Sequence, residues 1–211
     1  MAKLTVEGAG ALYGSMMREV KDRLASIPPG LVMASRKPDA PESRIVVESC
    51  VLQIRLICEL IALAALTAHH ETPKVEAIMD EYSADVIFKR LSGLNEKCYP
   101  QAVVEDPEIR LHFNFNPGAQ LTRQQIQTIY GRCGNYLHRG KVNRGPDGLR
   151  KRYDLPMIQG WAQALERLLE IHIITLPHLR KILLVYMNGP DGGVVVRTGE
   201  ADGPWLQVGG E

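Results

Sequence analysis

Along residues 4 to 26, Leu4, Leu12, Met16, Val20, Leu24 and Ile27 recur at helical spacing on one side, while Arg18, Glu19, Lys21, Asp22 and Arg23 fall mostly elsewhere. This predicts a first helix. Gly8, Gly10 and Gly14 blur its start, and Pro28-Pro29-Gly30 sets its end, because proline cannot continue the backbone ladder. After a polar, proline-bearing connection over residues 31 to 41, the stretch from Glu42 to His70 is apolar on most sides and reads as a long central helix. A third helix is expected from Pro73 to about Leu91, with proline in its first turn and Gly93 beyond its end.

The texture changes from Ser92 to Ala119. There QAVVEDPEIRLHFNF holds two short β-prone runs around Asp106-Pro107, the pattern of a hairpin or an extended excursion. Helical signals resume at Leu121, where Thr122 and Gln125 stand at capping-box spacing. Gly140 to Asp154 is glycine-rich and basic and reads as an exposed loop. A further helix is expected from Leu155 to near Pro177, with Pro156 in its first turn and Ile158, Trp161, Leu165, Leu168, Leu169 and Ile171 as its apolar face. KILLVYM, NGPDGG and VVVRT then read as two strands and a turn, a hairpin that must pack on the helices or pair with another chain. The fold class expected is therefore mainly α, a helical bundle with a short β excursion around residues 101 to 116 and a C-terminal β-hairpin.

A chain of 211 residues suits one main domain, taken as residues 1 to 178, with the hairpin and tail of residues 179 to 211 packed on it or on a partner chain. The 25 basic and 24 acidic residues leave a net charge of +1, so no global field draws the protein to nucleic acid, and polyanion binding must be local. Cys50, Cys58, Cys98 and Cys133 form no C-x-x-C pair and suit reduced thiols in a cytoplasm. The N-terminal MAKLTVEGAG lacks a basic region followed by an apolar block, so no secretory signal is expected. Val51 to Ala68 has the length of a membrane span but carries Gln53, Arg55 and Glu59, which a bundle core tolerates better than lipid does. A cytoplasmic protein is expected, with no membrane partner.

Candidate chemistry gathers in YGRCGNYLHRGK, residues 130 to 141. Six steps along an unbroken helix advance about 9 Å and turn about 600°, so Arg132 and His138 stand roughly 120° apart. Two arrangements could unite them. Gly134 or Gly140 could let the helix loosen or stop, or a second copy of the segment could complete the pocket by symmetry. Imidazole can take a proton from a ribose 2′-hydroxyl or give one to a leaving 5′-oxygen near neutral pH, and arginine can brace the charge on the phosphoryl oxygens. The plain alternative is that Arg132, His138 and Arg139 are cations favoured near a helix C-terminus.

An arginine, four to six residues and then a histidine, late in a small helical bundle, is the mark of the HEPN superfamily, and Arg132-Cys-Gly-Asn-Tyr-Leu-His138 resembles it. The resemblance covers the helical body, roughly residues 42 to 176. It implies a metal-independent endoribonuclease of the kind found in toxin–antitoxin and defence systems, acting on RNA as a homodimer with two motifs across a shared cleft. An antitoxin or another protein partner is implied as well. Arg132 and His138 would then be the catalytic pair. The position after the arginine, commonly polar in that family, is Cys133 here, and Asn135 is the residue that would fill the polar role. The alternative within the same class is a non-catalytic RNA- or nucleotide-binding or sensor protein, and outside it a helical interaction protein whose hairpin pairs with another chain.

Around the motif, Arg55 and Glu59 at i and i+4 read either as an ion pair of the central helix or as a layer that fixes the cleft. Arg139, Lys141, Arg144, Arg150, Lys151 and Arg152 form the densest basic cluster, a solvated loop that could track an RNA backbone, with Tyr130, Tyr136 or Tyr153 for stacking. His69, His70 and Glu71 read as a solvated helix end, and His112, His172 and His178 as alternation or capping residues. No metal and no cofactor are expected.

Overall fold

Thr5 opens the first helix, its hydroxyl accepting the Gly8 N–H at 3.1 Å. The computed structural model describes residues 5–109, 112–138 and 152–200. They build a mainly helical protein with a five-stranded antiparallel sheet.

Helix α1 spans Val6–Arg36 and runs straight through Pro28 and Pro29, so it does not stop there as the sequence suggests. An interior proline costs a helix about 3 kcal/mol. Packing outweighs that cost here: Tyr13, Met17, Val20, Leu24, Ile27, Leu31 and Ala34 continue one buried stripe on both sides of the prolines. Both rings lie on the exposed side of the helix. The connection expected over residues 31 to 41 shrinks to the turn at residues 37 to 40. The stripe is the expected one at Val20, Leu24 and Ile27, and before them it shifts by one residue, with Tyr13 and Met17 buried and Leu12 43% exposed. Gly30 permits a close approach to the next helix, since a Cβ there would lie 2.6 Å from Cys50 Sγ.

Helix α2, Pro41–Ala68, is the central helix the sequence predicts, within two residues at its C-terminal end. It is long and apolar enough to cross a membrane, yet 61% of its most apolar window is buried inside the protein. The third helix is shorter than predicted. A 3-10 turn over Val75–Ile78 follows Lys74, whose φ is 69°, and α3 begins only at Ala84 and ends at Leu94. Glu81 Oε1 accepts the backbone N–H groups of Tyr82 and Ser83, a local bond that competes with continuing the helix.

The predicted excursion is a hairpin, β1 (Gln101–Glu105) and β2 (Phe113–Phe115), entered through an Asp106 side chain that accepts the Glu108 and Ile109 N–H groups. Helices α4 (Arg123–Leu137) and α5 (Leu155–Leu169) follow. The last helix ends eight residues earlier than expected. Ile171–Leu176, read from the sequence as helix, is strand β3, in keeping with the β-branched run IHIIT. β3 pairs with β1 on one side and with β4 (Lys181–Tyr186) on the other, and β4 pairs with β5 (Val195–Glu200), giving the order β2-β1-β3-β4-β5. The C-terminal hairpin thus finds its sheet partner within the chain.

His69, expected at a solvated helix end, and His172, expected as an alternation or capping residue, are both core residues. His172 lies on the helix-facing side of β3, where Nδ1–H donates to Leu169 O and Nε2 accepts from Tyr13 OH, each at 2.8 Å. His69 is equally buried; Nδ1–H donates to Ala65 O and Nε2 accepts from Asn95 Nδ2, both at 2.7 Å. Each carbonyl can only accept, so Nδ1 carries the proton, and in the neutral ring Nε2 is left as the acceptor. Asn95 Nδ2 also donates to Thr175 O at 3.2 Å, tying the end of α2 to β3.

Burial lowers both imidazoles from their ordinary 6.5 to about 4. The unfolded chain therefore binds these two protons more readily than the folded one. Stability is full above about pH 6.5 and falls as the pH drops toward 4, by on the order of 3 kcal/mol per histidine. Urea unfolding midpoints measured across this range are expected to decline steeply below pH 6, and His172→Gln is expected to flatten the decline by about half.

Candidate functional site

The site is built on α4. Thr122 Oγ1 accepts the Gln125 N–H at 3.2 Å while Gln125 Oε1 accepts the Thr122 N–H at 2.7 Å, so the capping box read from the sequence is formed. From there Ile126, Ile129, Tyr130 and Cys133 face the core. The helix passes Gly134 without a break and ends at Leu137, with His138 as its C-cap.

Arg132 and His138 are both exposed, but the helix points them to different flanks. Arg132 Nη1 lies 3.7 Å from Met157 Sδ on α5, and among the described residues no carboxylate is within ion-pair distance of it. The His138 N–H donates to Gly134 O at 3.0 Å. Gly134 therefore does not loosen the helix to bring the pair together. Asn135 is exposed on the same stretch.

Cys133 faces inward and is fully buried, and burial pushes its thiol up to about 12 against the opposing effect of Arg55. It offers neither a thiolate nor a polar group at the surface. Cys58 on α2 is buried as deeply, its thiol also raised by burial.

The polar centre between α2 and α4 is Arg55. Its guanidinium carbon lies 3.9 Å above the centre of the Tyr130 ring. Nη2 donates to Tyr130 OH at 2.5 Å and Nη1 to Tyr130 O at 3.4 Å. Tyr130 OH in turn donates to Glu59 Oε1 at 3.0 Å, and Arg55 Nε stands 3.4 Å from the same oxygen. The pair keeps 29% and 27% side-chain exposure, so it is an ion pair at the edge of the core, tied to α4 through one tyrosine. A Cβ on Gly134 would lie 3.0 Å from Arg55 Nη1, so glycine at this position leaves room for the guanidinium.

Asp85 in the first turn of α3 joins this centre. Burial raises its carboxyl, with Arg55 opposing, and its Oδ1 is buried with no hydrogen-bond partner among the described residues. In the sequence it looks like an ordinary acid at a helix start, and no spacing rule connects it to Arg55.

The tyrosines proposed for base stacking are engaged within the protein. Tyr130 is 7% exposed beneath Arg55. Tyr136 stacks on Tyr153 at 5.7 Å and meets Trp161 edge-on at 6.0 Å. Tyr153 OH donates to Glu48 Oε1 at 2.5 Å. Arg152 is exposed and lines, with Arg44, Glu48 and Tyr153, an open cleft of about 1070 Å³ beside the start of α2. Arg139, Lys141, Arg144, Arg150 and Lys151 lie outside the described residues. Among the described residues, no three His, Cys, Asp or Glu side chains gather as metal ligands would.

Comparison of the chain with protein-family models, with curated proteins and with solved structures finds no match.

Removing the hydroxyl that joins Arg55 to Glu59 tests how firmly this centre holds α4 on α2. Tyr130→Phe is expected to lower stability by about 1–3 kcal/mol in chemical denaturation, because a part-buried bond to charged groups is lost while the ring remains.

Proposed function

We propose that the protein is a metal-independent endoribonuclease of the HEPN type, acting as a homodimer in which the Arg132 and His138 of two copies line one cleft. The observation that carries this reading is the last turn of α4 and its cap. It presents an exposed imidazole and, six residues earlier, an exposed guanidinium with no carboxylate within ion-pair distance among the described residues. The two point to different flanks of one helix, and a second copy related by two-fold symmetry is what would set the arginine of one against the histidine of the other.

In such a cleft one His138 takes the proton of the ribose 2′-hydroxyl as the oxygen attacks phosphorus. The bond from phosphorus to the 5′-oxygen breaks, and the other His138, protonated, supplies the proton that the leaving oxygen needs. The products are a 2′,3′-cyclic phosphate and a free 5′-hydroxyl. Arg132 braces the non-bridging oxygens as charge grows on them. Asn135, exposed beside Arg132, is the polar group available where Cys133 faces the core.

A second reading is favoured by that same cysteine, which leaves the position after Arg132 without a polar group: an RNA- or nucleotide-binding member of the same class that holds phosphate without turnover. Purified protein incubated with single-stranded and structured RNA in excess chelator separates the two. The nuclease reading expects cyclic-phosphate ends and a loss of at least about a hundredfold in rate for His138→Ala, the scale of one general acid–base group. Cleavage that survives His138→Ala would overturn it. Tight binding without cleavage, lost in Arg132→Ala, would establish the second reading instead.

A further inference from the structure

Among the described residues of one copy, Arg55 is the guanidinium on the His138 side of α4. The geometry follows from the helix cap. His138 has a φ of −73°, still helical, and only its ψ of 141° turns the chain away. Its N–H is bonded to Gly134 O, so its Cα and Cβ sit where the helix places them. At about 100° and 1.5 Å per residue, Tyr130, Gly134 and His138 climb one side of α4, each about 40° round and 6 Å above the last. Arg132 lies about 200° round from Tyr130, on the opposite flank, against Met157 of α5.

Arg55 occupies the first two steps of that stripe. It covers the Tyr130 ring and approaches the vacant Cβ position of Gly134, one turn below His138. Tyr130 holds it on the ring face, at the hydroxyl and at the carbonyl, and its side chain remains 29% exposed. A guanidinium has five N–H groups; Tyr130 takes one from each Nη, and Nε faces Glu59 Oε1 at 3.4 Å, which leaves one N–H on each Nη. Such a group, fixed in direction and open to solvent on one side, is organised to meet an oxyanion.

We propose that Arg55 contacts the RNA phosphate directly on the His138 side of α4, with Gly134 admitting it and Glu59 moderating its charge. This rests on the reading of the site as one that handles RNA. Arg55 is then a second bracing cation, supplied in cis, while Arg132 acts across the two-fold axis.

The test uses the full chain carrying His138→Ala, so that binding is read apart from turnover, and a labelled single-stranded RNA oligonucleotide followed by anisotropy over a range of salt. Arg55→Gln in that background is expected to weaken binding about tenfold or more and to reduce the salt slope by about 1, as loss of one phosphate contact does. Glu59→Gln, which leaves the guanidinium in place and removes the competing carboxylate, is expected to tighten binding. A purely structural Arg55 would lower the thermal midpoint in both variants while leaving the salt slope unchanged, and that result would overturn the proposal. If the starting protein binds no RNA at all, the nuclease reading and this inference fall together. If it binds and Arg55→Gln keeps the slope, this inference alone falls.

Discussion

The burial of α2 is the constraint on which the rest of the structure depends. Val47, Val51, Ile54, Ile57, Cys58, Ile61, Ala62, Ala64 and Ala65 are all withdrawn from water, and they occupy more of the helix circumference than one neighbour can cover. α1 must therefore stay helical past its prolines, because breaking at Pro28 would remove Leu31 and Ala34 from the packing against α2. Gly30 and Cys50 set how closely the two helices meet. α4 covers a second flank, and the sheet follows, with β3 carrying Ile174 and Leu176 into the same core.

A helix so buried has only narrow margins for charge, and Arg55 and Glu59 occupy one of them. Neither is deep enough to carry the full cost of burying an ion, and both are satisfied through a single tyrosine of α4. The same bonds that make the pair tolerable also orient α4, because Tyr130 is held at its ring, its hydroxyl and its carbonyl. The direction in which His138 leaves the helix end is thus linked to α2 through two turns of α4. A polar centre that serves packing in this way is also a rigid support for groups at the surface.

Much of this was legible in the sequence, and the misses have physical causes. The central helix, the capped α4, the β1–β2 hairpin and the β4–β5 hairpin follow from local signals: apolar periodicity, the Thr122–Gln125 box, Asp106, and the turn residues around Gly192. Pro28-Pro29 misled because a local rule was overruled by long-range packing. IHIIT was read as helix because an apolar run after a helix has no period of its own, and only pairing with KILLVY decides it. The core places of His69 and His172 escape a local reading as a solvated helix end and a capping residue, because burial of a histidine depends on partners far along the chain, Asn95 and Tyr13. At the candidate site, spacing alone indicated that Arg132 and His138 diverge. That Arg55 stands on the histidine side is not legible in spacing, since the contact joins residues 75 positions apart.

The divergence also bears on why glycine and cysteine occupy the motif. On a helix whose inner face packs on α2, the residue after Arg132 points inward, and a small apolar thiol fits beside Cys58 where a larger polar side chain would be left unsatisfied. Gly134 faces Arg55, where a methyl group would crowd Nη1. Both residues are therefore explained by what α2 presents to them and need no role in chemistry. The proposed chemistry would fall to the outward set, Arg132, Asn135 and His138, with Arg55 at the margin. A single copy holds Arg132 on the α5 flank and His138 on the α2 flank. Under the proposed reading, each cleft must then draw its cations from two chains, and oligomeric state becomes part of the catalytic apparatus instead of an accessory to it.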